Sequence, residues 1–189
     1  MAFQFKIQLE GITNPPVWRR LLVPEHFTFL RLHTALQETF GWKNSHLFQF
    51  SPKGFGSKPV IGLVFPDPMD ETEMDTVDAA QLQLQEIFQT PLQRYIYTYD
   101  FGDDWTHRLT LEQITPEKLL RAQCLEGAGA CPPEDCGGAW GYENLKNILA
   151  DPKHPEYREY RRWLGLRRNE QWDAGKFDLE KTRKKVARV

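Results

Sequence analysis

After Met1 and Ala2, the stretch "FQFKIQLEGI" opens on eight strictly alternating positions: Phe3, Phe5, Ile7 and Leu9 on one side, Gln4, Lys6, Gln8 and Glu10 on the other. That period of two predicts a half-buried strand. "NPPVWRRLLVP" then supplies a turn and a second strand, Val17 to Val23, bounded by prolines that cannot donate ladder hydrogen bonds. The period changes in "FLRLHTALQETFG", where Phe29, Leu32, Leu36 and Phe40 recur at helical spacing. Thr28 is the expected N-cap and Gly41 the expected stop.

Further strands are expected in "HLFQFS" and "KPVIGLVF", a short helix over Leu82 to Phe88, and an acidic, proline-containing loop over Pro66 to Asp78. Beyond residue 112 the pattern is mainly helical: about Ala139 to Leu149, about Pro155 to Leu164 with proline in the first position and Gly165 as the stop, and a basic helix from about Asp178. Strands first and helices later define an α+β chain with a mostly antiparallel sheet, an early helix and a helical C-terminal third. A length of 189 residues fits one domain over 1–189 with a basic helical tail at about 176–189.

The strongest hairpin signal is "YIYTYDFGDDWTHRLTLE". With Gly102-Asp103 as a two-residue type II′ turn, Asp100 faces Trp105, Thr98 faces His107 and Ile96 faces Leu109, while Tyr95, Tyr97 and Tyr99 lie on the opposite face. Asp100 and His107 then become diagonal neighbours roughly 7–8 Å apart. A carboxylate beside a histidine can orient a base or hold a divalent metal; equally, Asp100 can accept turn amides and His107 can be a core side chain.

Composition narrows the classes. Hydrophobic residues make up 40% and charged residues 26%, which argues against disorder. No apolar run reaches the roughly 20 residues of a membrane span, and Lys6 and Glu10 interrupt any leader-like stretch, so a cytoplasmic protein without membrane contact is expected. The charge is uneven: Lys153 to Val189 holds twelve Lys/Arg against six Asp/Glu in a chain of net charge −2. A solvated helical face accounts for this, and so would an anionic partner such as nucleic acid.

Cys124, Cys131 and Cys136, an odd count, favour free thiols or metal ligands over a disulfide framework. Only the second pair has a zinc-knuckle spacing, and His46, His107 or Glu134 would have to complete a site, zinc being the expected ion. "CPPEDCGG" also reads as a rigid loop that projects Glu134 and Asp135 before a helix, which Asp135 could cap. His33 falls beside the apolar stripe of its helix and reads as a core histidine, whereas His46 sits at the mouth of a strand. No P-loop, GxGxxG or GxSxG is present, and the three serines, Ser45, Ser51 and Ser57, lie in loop contexts.

Taken in order, "NPPVWRRLLVP", "FLRLHTALQETFGWKNSHLFQF", "YTYDFGDDWTHRLTLE", "CPPEDCGGAWGYENL" and "DPKHPEY" resemble the plasmid pRiA4b ORF-3-like family over about residues 3 to 165. The resemblance implies a compact α+β domain and a mobile-element context, and gives weight to Asp100, Gly102, Asp103, Trp105 and His107, and to Pro132, Pro133, Glu134, Asp135 and Gly138. Some members carry a resolvase label, but the N-terminal nucleophilic serine of that chemistry is missing here. Three readings follow as expectations: a non-catalytic binding or accessory module for nucleic acid or a mobile-element protein, acting through the basic C-terminal region; two signature loops that dock against each other and only hold the fold together; or a metal-dependent hydrolase or nuclease built on Asp100/His107 and Glu134/Asp135.

Overall fold

A computed structural model describes residues 1–64 and 76–189. Eight strands form one sheet: β1 (Ala2–Thr13), β2 (Pro16–Pro24), β3 (Phe48–Ser51), β4 (Val60–Gly62), β5 (Thr76–Asp78), β6 (Arg94–Tyr99), β7 (Trp105–Thr115) and β8 (Gln123–Ala128). Their order across the sheet is β5-β4-β3-β6-β7-β1-β2-β8. Only the β4–β5 pair is parallel. The helices are α1 (Phe29–Phe40), α2 (Leu84–Ile87), α3 (Gly138–Ala150), α4 (Tyr157–Trp163) and α5 (Leu179–Val186).

The alternation in β1 puts Phe3, Phe5, Ile7 and Leu9 into the core. Val17, Arg19, Leu21 and Val23 of β2 are buried alongside them. α1 presents Phe29, Leu32, His33, Leu36 and Phe40 to the same core, capped at its start by Thr28 Oγ1 accepting from Arg31 N and ended by left-handed Gly41 at φ 89°. Aromatic rings fill the contact, Phe29 on Phe50 and His33 on Phe48. The opposite face of the sheet is polar, with Arg20 bridging Glu112 and Glu126 and with Lys6 over Trp18.

Four expectations change. The hairpin register is one residue away from the two-residue turn: Tyr99 pairs with Trp105, Tyr97 with His107 and Tyr95 with Leu109. The connection is therefore five residues, 100–104, closed by Asp104 N donating to Asp100 O at 2.7 Å. Its left-handed positions are Asp100 (φ 57°) and Asp104 (φ 51°), not Gly102. A one-residue slip exchanges faces, so the three tyrosines enter the core.

Thr76–Asp78 forms β5, while the rest of the expected acidic loop, residues 65–75, lies outside the described residues. Gln123–Ala128, in the part expected to be mainly helical, is β8 and pairs antiparallel with β2, so the C-terminal part opens on a strand before its helices. α4 starts at Tyr157 with Glu156 as its cap position, two residues after Pro155.

Candidate functional site

Three loops meet beside β6. The first follows α1, and nearly every polar group in it is fastened. Trp42 stacks on Tyr99 with centroids 4.9 Å apart and donates Nε1 to Pro132 O at 3.0 Å. Lys43 N donates to Glu134 Oε1 at 2.7 Å, Asn44 N to Gln37 Oε1 at 2.9 Å and Ser45 N to Tyr99 Oη at 3.0 Å. Asn44 takes φ 55°, a conformation asparagine tolerates, and its Oδ1 accepts from His33 Nε2 at 2.7 Å. His33 Nδ1 must then accept from Tyr97 Oη, 2.8 Å away, which also accepts from Gln37 Nε2 at 3.0 Å. Burial holds the His33 pKa down at about 4, so the ring is neutral and the chain of bonds is consistent. This network delivers the backbone to His46.

His46 Nε2 lies 3.5 Å from Asp100 Oδ2, 3.6 Å from Glu134 Oε2 and 3.2 Å from Asp135 Oδ1, and makes no hydrogen bond to any of them. Asp100 is held by one oxygen and Glu134 chiefly by one. Asp100 Oδ1 accepts from Gly102 N at 3.0 Å and Asp103 N at 3.3 Å, which leaves Oδ2 toward His46. Glu134 Oε1 accepts from Lys43 N and, at 3.1 Å, from Tyr99 Oη, while Oε2, which the same hydroxyl reaches at 3.4 Å, is the oxygen toward His46. Burial lifts the Tyr99 pKa to about 12, with the Glu134 charge adding to the shift, so this hydroxyl stays a donor. Asp135 sits at φ 58° and is exposed. Among the described residues, His46, Asp100 and Asp135 are the group of three whose ligand atoms all lie within 4.8 Å of one another.

Asp103 has a different task. Its Oδ2 accepts from Gly137 N at 3.1 Å, and a Cβ on Gly138, at φ 65°, would stand 2.7 Å from Asp103 O. The two signature loops are thus docked through Asp103 and the Gly137-Gly138 pair. Gly137, not Asp135, occupies the cap position of α3.

His107 is not part of this group, which corrects the expected Asp100/His107 pairing. It is fully buried, Nδ1 is 3.2 Å from Tyr97 O, and the rings of Phe40, Trp42 and Tyr97 surround it. Burial pushes its pKa down to about 3. Trp105, two residues earlier on the same strand face, is also a core residue.

The three thiols are not gathered either. Cys124 is buried in β8, and burial raises the pKa of Cys124 to about 11 and of Cys136 to about 12 and pushes Cys131 up further, the direction of inert thiols. Residue-type reading missed Trp42, Tyr99, Gln37 and Asn44, none of them a metal ligand; the cue available was Trp42 directly after the helix-stopping Gly41.

An antiparallel-rich sheet with one covered and one polar face, and a loop-built imidazole–carboxylate cluster at the end of β6, define an α+β protein whose candidate chemistry sits in loops. The chain belongs to the plasmid pRiA4b ORF-3-like family, whose model matches residues 1–181. It is similar to the uncharacterized protein y4hQ of Sinorhizobium fredii, 37% identical over 164 residues that cover 86% of this chain and 80% of that one. The crystal structure of MM3350 from Methanosarcina mazei Go1, a protein of unknown function, is similar at a TM-score of 0.79 and 34% identity, covering 95% of this chain and 96% of that one. Among the described residues no helix is long and apolar enough to cross a membrane.

Proposed function

We propose that the chain is a binding module that holds a divalent cation at His46, Asp100, Glu134 and Asp135 and uses that charge, with the arginines near α4, to engage nucleic acid. The observation that carries this reading is the spacing of the donors. Two ligand atoms about 2.1 Å from a common ion at tetrahedral or octahedral angles stand roughly 3.0–3.4 Å apart. The 3.2–3.6 Å separations around His46 Nε2 are close to that range, and the absence of N–H···O geometry there suits a lone pair turned to an ion better than a donated proton. One imidazole with three carboxylates suits zinc or manganese. Tyr99 and the Lys43 amide act on Glu134, and turn amides on Asp100, as outer-shell groups that orient ligands.

The polyanion part rests on α4 and the turn after it. Arg158, Arg162, Arg167 and Arg168 are exposed and make no ion pair among the described residues. Arg161 donates to the carbonyls of Arg167 and Glu170, both at 2.6 Å, which holds that turn against the helix. Trp163 lines a cleft of about 410 Å³ together with Lys43, Glu134 and Asp135, so an aromatic platform adjoins the cation.

Elemental mass spectrometry of untagged protein tests the site. About one divalent ion per chain is expected, retained on desalting and lost in His46→Ala and Asp100→Asn with the fold intact by circular dichroism. Absence of metal after incubation with zinc, manganese and magnesium would leave His46 as a side chain packed among carboxylates and end the proposal. Binding of a DNA duplex should weaken steeply between 50 and 200 mM salt, on the order of tenfold or more for a few phosphate contacts.

A second reading, metal-dependent hydrolysis, draws on the exposure of Asp135, 72% for its side chain, which leaves that side of the cluster open to a cation-bound water. Metal-dependent cleavage of DNA or RNA that disappears in His46→Ala would support it over simple binding.

A further inference from the structure

We infer a second, separate site: a cationic cavity formed by β2, the end of α1 and the start of α5 that takes a dianionic phosphate group. Its floor is Arg19, only 2% exposed on the core face of β2. The guanidinium donates Nε to Thr39 O at 3.3 Å, Nη1 to Trp18 O at 2.8 Å and Ala128 O at 2.6 Å, and Nη2 to Gly129 O at 3.0 Å. That uses four of its five N–H groups, and every acceptor is a neutral carbonyl. No carboxylate pairs with Arg19 among the described residues. Burial lowers its pKa, yet an arginine keeps its charge inside proteins, so a full positive charge is enclosed without a counter-charge. A buried charge so arranged is costly to the fold unless something else uses it.

The surroundings are shaped to this group. The Phe177 ring centroid lies 4.0 Å from Arg19 Cζ and the Phe40 centroid 5.1 Å away. Gly127 permits the first contact, since a Cβ there would fall 2.7 Å from Phe177 Cε1 and 2.8 Å from Arg19 Cδ. With four N–H groups taken by carbonyls and rings against it, the guanidinium has one N–H left and serves the cavity chiefly as a fixed positive charge. The cavity that Arg19 lines has a volume of about 280 Å³ and is also lined by Lys176, Lys181 and Lys185. Two carboxylates share it, and both are engaged: Asp178 Oδ1 caps α5 by accepting from Lys181 N at 2.9 Å, and Glu38 Oε2 lies 4.0 Å from Lys185 Nζ. Lys176 and Lys181 have no ion-pair partner among the described residues. Four cationic side chains against two carboxylates leave an excess of two positive charges, which matches a phosphate dianion. Lysine ammonium groups set over a buried guanidinium charge are a donor set that such a group recruits.

This site does not depend on the cation at His46, and the test keeps the two apart. Inorganic phosphate, and glycerol 3-phosphate as a minimal monoester, are titrated into the full chain in the presence of a chelator at constant ionic strength, with binding read by calorimetry and by thermal shift. Saturable binding in the millimolar range or tighter is expected, weakened about tenfold or more in Lys181→Glu and in Lys176→Glu. Lys184→Glu, an exposed charge reversal that does not line the cavity, serves as the control and should leave affinity within about twofold. Both lysines of the test are exposed, so the variants are expected to fold even where Arg19→Met does not. Preference for the monoester would assign an organic phosphate, and equal affinity would assign free phosphate. Absence of saturable binding by about 10 mM, or equal losses in the Lys184 control, would overturn the inference and leave Arg19 as a clamp on backbone carbonyls.

Discussion

Two histidines flank the same pair of rings and meet opposite fates. His46 stands edge-on to Tyr99, and His107 edge-on to Trp42, the ring stacked on Tyr99. Around His107 stand the rings of Phe40, Trp42 and Tyr97 and the Tyr97 carbonyl, and its Nε2 and Trp105 Nε1 make no hydrogen bond. Around His46 stand three carboxylates. The difference is one of backbone: His107 is carried by a strand whose register points it inward, His46 by a loop pinned at successive amides. A histidine's chemistry here is decided by what holds its neighbours, not by its own place in the sequence.

The sharpest way to break the comparison is to remove what the two centres share. Trp42→Ala deletes the ring between them and the hydrogen bond to Pro132 O, and should cost about 3–5 kcal/mol in urea unfolding while also abolishing metal retention. If metal stays bound in a destabilised variant, the two centres are independent.

Acid sharpens it next. Both buried histidines, His107 at about 3 and His33 at about 4, have folded pKa values below the ordinary 6.5, so the unfolded chain takes up protons first. Their contribution is complete above about pH 6.5 and is lost as pH falls toward the folded values, on the order of 2 kcal/mol per group between pH 7 and pH 5. Denaturation midpoints measured over that interval should fall, and the fall should shrink in His107→Phe; an unchanged pH slope in that variant would place His107 outside the effect.

Metal removal should act on the other centre. Addition of a chelator at pH 7 is expected to lower stability by about 2–3 kcal/mol if the cation was present at about a hundred times its dissociation constant, and to have no effect on His46→Ala. The smallest expected change is Asp135→Asn in metal-free protein, within about 0.5 kcal/mol because the side chain is exposed and asparagine tolerates φ 58°, although the same variant should lose the ion. A large destabilisation without metal would mean that Asp135 serves the fold.

The elements legible in the sequence were those with one dominant period. The alternation of Phe3 to Leu9 and the stripe of Phe29 to Phe40, with Thr28 and Gly41 at its ends, correspond to β1 and α1. The hairpin register was not legible, because "YIYTY" carries side chains suited to either face and because Asp100 and Asp104 adopt the left-handed conformation that Gly102 suggests by type. β8 was hidden by its small residues, and Gly127 shows why they are there: the backbone must pass close to Arg19 and Phe177. Of the cluster, His46, Asp100, Glu134 and Asp135 were legible as residue types, but their convergence depends on three loops from distant parts of the chain, which no local pattern encodes.

The five-residue connection between β6 and β7 has a consequence for inheritance. A substitution within it touches one role at a time, but deletion of a single residue would move the pairing by one step, turn Tyr95, Tyr97 and Tyr99 to the other face and withdraw both Asp100 and Asp103 from their partners at once. The length of this segment is thus as strict a requirement as the identity of its carboxylates.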